Sequence, residues 1–104
     1  AEALFKQLKQ VDPNASDADA ELDYARALAL QGRNDEAVRQ YEIVVPRYPG
    51  EEARCRFALL LRQLGQDQRA RQLFQEILDS VKGAPGYYRR RQTEWVRIAR
   101  QNLK

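Results

Sequence analysis

One thiol, Cys55, and a complete lack of histidine limit the chemistry open to this chain. A reactive cysteine needs a neighbouring positive group, most often histidine, to hold it as thiolate. Here Cys55 falls within an apolar helical face and reads as a packing residue. The aliphatic hydroxyls Ser16, Ser80 and Thr93 have no histidine to activate them either. Zinc or copper sites built from nitrogen and sulfur ligands are excluded on the same count. Paired carboxylates remain, since two can divide acid and base roles. Asp35-Glu36 and Glu51-Glu52 are such pairs, but both stand at the start of a helical pattern. Negative charge is favoured there by the helix dipole, which explains them without catalysis. The expectation is a protein with no enzyme activity, no metal and no cofactor.

A second stretch suggests binding rather than catalysis. YYRRRQTEWVRIAR, residues 87–100, interleaves aromatics with Arg89, Arg90, Arg91, Arg97 and Arg100. Such a mixture can neutralise phosphates and stack on bases, or rest on an anionic membrane surface. The net charge of +3 conceals an asymmetry: residues 1–81 carry 11 basic and 14 acidic side chains, whereas 82–104 carry seven basic and one acidic. The rival reading of the same residues is a terminal capping helix. It would turn Tyr88, Trp95, Ile98 or Ala99, and Leu103 inward and leave the arginines in water. Trp95 is then expected to be buried near Phe74 and Ile77.

The elements that would position these residues follow from periodicity. A chain of 104 residues, 43% hydrophobic and 32% charged, fits one small ordered domain. No apolar run approaches the roughly 20 residues needed to span a bilayer. Cytoplasm is the default compartment for a chain with one cysteine. In 18–31, Leu22, Ala25, Leu28 and Ala29 recur at helical spacing, with Asp17 or Asp19 as cap and Gly32 as terminator. A second helix carries Ala37, Val38, Tyr41, Val44 and Val45, with Asn34 or Asp35 as its cap, and meets Pro46. Helices at 51–64 and 67–82 repeat the pair, the last stopping at Gly83. Period-2 alternation is missing throughout, so the class is all-α.

The pair recurs in register. Gly32 returns 33 residues later as Gly65, Ala37 as Ala70 and Tyr41 as Phe74. Small residues let helices cross closely, aromatics fill the wedge beyond, and glycine reverses the backbone. These residues resemble the tetratricopeptide repeat, whose pattern runs W-x2-L-G-x2-Y…A-x3-F…P. One unit supplies Tyr24, Ala25, Leu28, Gly32, Ala37, Tyr41 and Pro49, and the next supplies Phe57, Ala58, Leu61, Gly65, Ala70 and Phe74. Glu21 and Arg54 replace the first tryptophan, and Lys82 replaces the closing proline of the second unit.

The resemblance implies a right-handed superhelix of antiparallel helix pairs in one domain. Residues 1–13 would be the second helix of a truncated repeat, 18–50 and 51–83 full repeats, and 87–103 the capping helix. With no methionine and an opening inside an element, the chain reads as a fragment of a longer protein. It is similar to divergent bacterial repeat proteins, some of them membrane-tethered. The implied function is a scaffold holding a peptide or partner segment in a concave groove. Carried over by position, the groove takes Asp19, Leu22, Asp23 and Arg26 from the first repeat. From the second it takes Glu52, Cys55, Arg56, Leu59, Arg62 and Gln63. Attachment to nucleic acid or a membrane surface through Arg89, Arg90, Arg91, Arg97 and Arg100 is the alternative. Weak self-association through residues 1–11 is also expected.

Overall fold

Gly32 and Gly65 have backbone φ of +79° and +82°, a conformation that costs any residue with a Cβ. Space is not the reason for glycine, because a Cβ at either position would meet nothing within 4 Å. The reason is the turn. At the first, Gly32 N–H donates to Ala29 O at 3.1 Å and Arg33 N–H to Leu28 O at 3.0 Å. At the second, Gly65 N–H donates to Arg62 O at 3.1 Å and Gln66 N–H to Leu61 O at 2.9 Å. Both are Schellman motifs, which satisfy the last carbonyls of a helix and reverse the chain.

The computed structural model describes residues 17–104, with the Asp17 side chain left aside. The expected helix over 1–13 and its self-associating flank lie outside these residues. The described residues form helices α1 (Asp17–Leu30), α2 (Asn34–Val44), α3 (Glu52–Gln63), α4 (Asp67–Lys82), α5 (Gly86–Arg91) and α6 (Thr93–Asn102), with a 3₁₀ turn at Val45–Arg47. No strand occurs among them, so the class is all-α. None of these helices is long and apolar enough to cross a membrane. The chain divides into two compact units, Ala1–Pro49 and Gly50–Lys104.

In the first unit, α1 and α2 form a helical hairpin. Leu22, Tyr24, Ala25 and Leu28 are buried on α1, with Ala37, Tyr41 and Val44 on α2. Ala25 and Ala37 have no exposed surface, as close helix crossing requires. Pro46 cannot supply an α-helical N–H, and the backbone tightens there into the 3₁₀ turn. The expected side-chain cap on α2 does not form. Arg33 holds the N-cap position without a side-chain cap bond, and Asn34 is already helical. Arg33 instead donates to Glu36 Oε1 at 3.0 Å and Oε2 at 2.9 Å.

The second unit repeats the hairpin with α3 and α4. Phe57, Ala58, Leu60 and Leu61 face Ala70, Phe74, Ile77 and Val81 as its buried set. The two short helices then return, with α6 packing on α4 and also on α3. The expected single helix over 87–103 is broken at Gln92, whose φ and ψ are −98° and 9°. Ala99 is fully buried, Tyr88, Trp95, Ile98 and Leu103 are half-buried, and the arginines are exposed.

Candidate functional site

The first helix of each hairpin carries the residues expected to meet a partner, and each unit presents its own set. On α1, Asp19, Asp23 and Arg26 are exposed, and Arg26 Nη1 lies 3.7 Å from Asp23 Oδ1. Leu22 is 3% exposed. It anchors α1 from within and offers no surface, which corrects its expected place in the groove.

On α3 the same correction applies to Cys55, which is 0% exposed. Burial pushes its thiol up from 9.0 to about 12, the nearby Arg56 opposing and the carboxylates of Glu94 and Glu52 adding to the rise. The thiol stays protonated and inert, as a packing role requires. The remaining positions on this helix form a continuous face. Glu52, Arg56 and Leu59 are half-buried, and Arg62 and Gln63 are exposed.

Two arginines of this face are held rather than free. Arg56 Nε donates to Glu52 Oε2 at 2.8 Å, while its guanidinium lies 5.3 Å from the centre of the Trp95 ring on α6. That distance is within cation–π range. Trp95 is half-buried rather than buried, so its ring forms part of the surface. Nearly two turns further along, Arg62 Nη1 donates to Asn102 Oδ1, and Asn102 Nδ2 donates to Ile98 O at 2.8 Å. The α3 face is thus fixed on both sides of Leu59, by Trp95 at one end and Asn102 at the other.

Beneath this face lies a residue that sequence reasoning treated as a dipole complement alone. Glu51, at the N-cap of α3, is 2% exposed. Its carboxylate takes a 2.6 Å ion pair from Arg54 and accepts from the Ser80 hydroxyl at 3.0 Å and the Tyr88 hydroxyl at 2.5 Å. Its backbone N–H donates to Gln92 Oε1 at 2.9 Å. One residue therefore ties the start of α3 to α4 and α5 through its carboxylate and to the α5–α6 junction through its backbone N–H. The i, i+3 spacing of Glu51 and Arg54 was legible in the sequence, but the other partners were not. Burial, reinforced by this bond to Glu51, moves the Tyr88 hydroxyl from 10.0 to about 12.

The basic residues divide. Arg89, Arg97 and Arg100 border one groove with Val81, Val96 and Lys104, whereas Arg90 and Arg91 do not line it. No three side chains among His, Cys, Asp and Glu of the described residues gather to hold a metal ion.

A family model described as Tetratricopeptide repeat matches residues 19–50 and again residues 52–82. No curated protein matches the chain. The two matched stretches coincide with the two helical hairpins and together cover more than half of the sequence, and the chain belongs to the tetratricopeptide repeat family.

Proposed function

We infer that the protein is a non-catalytic interaction module that takes a peptide or partner segment on the first-helix faces of its repeats. Repeats of this family generally mediate protein–protein interaction, which supports the class of function. One observation carries the finer reading. In the second unit Leu59 sits between Arg56, stacked on Trp95, and Arg62, bonded to Asn102. The arginines and tryptophan already ordered around this half-exposed leucine are the residue types enriched in interface hot spots. Ordering these long side chains in advance lowers the entropic cost of binding. Asp19, Asp23 and Arg26 are the corresponding exposed positions of the first repeat, and Glu52 and Gln63 complete the second.

The test is selection of peptides from a displayed random library against the intact protein, followed by amide chemical-shift mapping. Shifts centred on Leu59, Arg62, Gln63 and Trp95 are expected. Shifts confined to the α4 surface around Gln72 and Gln75 would contradict the reading.

A further inference from the structure

A second surface lies on the opposite side of α6. That helix turns Trp95, Ala99 and Asn102 towards α3 and α4, and its other side carries Val96, Arg97 and Arg100. These residues, with Val81 at the end of α4, Arg89 of α5 and Lys104, line an open groove of about 580 Å³. The lining joins these two valines and four cationic side chains to Thr93 and Gln101, with no Asp or Glu among them.

The charges of this groove differ from two arginines of α3. Arg54 pairs with Glu51 at 2.6 Å and Arg56 with Glu52 at 2.8 Å. Arg89, Arg97, Arg100 and Lys104 are exposed, and none makes an ion pair within the described residues. Four unpaired like charges around one concavity repel one another, and an acidic occupant would remove that repulsion. The lining contains no aromatic ring on which a base could stack.

We propose that this groove is a docking site for an acidic amphipathic helix of a partner protein. The apolar stripe of that helix lies along Val81 and Val96, and its carboxylates meet Arg89, Arg97, Arg100 and Lys104. The site is separate from the α3 face, and either can be occupied without the other.

A fluorescein-labelled helical peptide of about 14 residues, close to four turns, serves as the probe. It carries leucines spaced three and four apart with glutamate at most other positions, and its binding to the full chain is read by anisotropy. Binding is expected to weaken as salt rises, with amide shifts at Val96, Arg97 and Arg100. The double variant R97E/R100E should lose about tenfold or more in affinity, about 1.4 kcal/mol, with an unchanged circular dichroism spectrum. A version of the peptide with lysine in place of glutamate should bind that variant better than it binds the wild type. R90E/R91E makes the same change in net charge away from the groove and should bind as the wild type does. Equal losses in the two double variants would overturn the proposal, as would equal binding of a polyglutamate peptide without leucines. Tighter binding of single-stranded DNA or of phosphatidylserine vesicles, with the peptide failing to bind, would overturn it in favour of an anionic polymer or a membrane surface.

Discussion

At the scale of single residues, the strongest structural demands fall on Gly65, Glu51 and Cys55. Gly65 at φ +82° stands in open space, so Gly65→Ala should cost about 1–2 kcal/mol through backbone conformation alone. Gly83, also in open space but at φ −98°, should accept alanine without loss of stability. Urea denaturation of the two variants measures the difference directly. Tyr88 makes a pH-dependent contribution, first through its burial and then through its bond to Glu51. Its hydroxyl is held neutral in the fold, so the added stability is full below pH 10.0 and disappears as pH rises through about 12. Tyr88→Phe should therefore flatten the alkaline limb of a stability-versus-pH curve within that window. The glycines were legible because a 33-residue offset displays them twice. Glu51 was not, because Ser80, Tyr88 and Gln92 come from 29, 37 and 41 residues away. No local pattern announces a carboxylate whose partners are that distant. Cys55 was legible as a packing residue from its apolar surroundings and the absence of histidine. It should resist a thiol reagent at pH 8 in the native protein and react promptly in denaturant.

At the scale of elements, helix number and order within residues 17–82 follow from periodicity, and the ends do not. The expected N-cap at Asn34 or Asp35 is displaced because Arg33 takes that position and engages Glu36 across the first turn. The break between α5 and α6 carries no glycine or proline to signal it. Gln92 leaves helical geometry while its side chain accepts from the Glu51 N–H. The tertiary bond is the physical cause that periodicity could not register. The two positions where the repeat pattern expects tryptophan show a parallel substitution. Glu21, 1% exposed, pairs with Arg47 at 2.8 Å, and Arg54 pairs with Glu51 at 2.6 Å. Each hairpin fills the tryptophan position with half of an ion pair closed inside its own unit. Removing one partner of a buried pair strands the other, so Glu51→Ala should cost about 2–4 kcal/mol in thermal or chemical unfolding. Trp95 stands differently. A fully buried tryptophan would cost about 3–5 kcal/mol on truncation. Half-buried over Arg56, it should cost about 1–2 kcal/mol, and Arg56→Ala should shift its fluorescence maximum.

At the scale of the whole molecule, the family and the all-α class are settled by two tandem hairpins, and the proposed binding surfaces follow from which side chains are left exposed. Leu22 and Cys55 were carried into the groove by their position in the repeat, although the apolar surroundings of Cys55 already marked it as a packing residue. The charge asymmetry was visible in composition, but its division into groove cations and outlying Arg90 and Arg91 depends on the angle at which α6 follows α5. The central claim is that the α3 face around Leu59 carries partner binding. Its most direct test is the affinity of a library-selected peptide for the wild type and for Leu59→Ala, measured by calorimetry at low and high salt. An apolar anchor contributes independently of screening, so the account predicts a loss of about tenfold, about 1.4 kcal/mol, at both salt concentrations. Unchanged affinity in a variant that remains folded would contradict it.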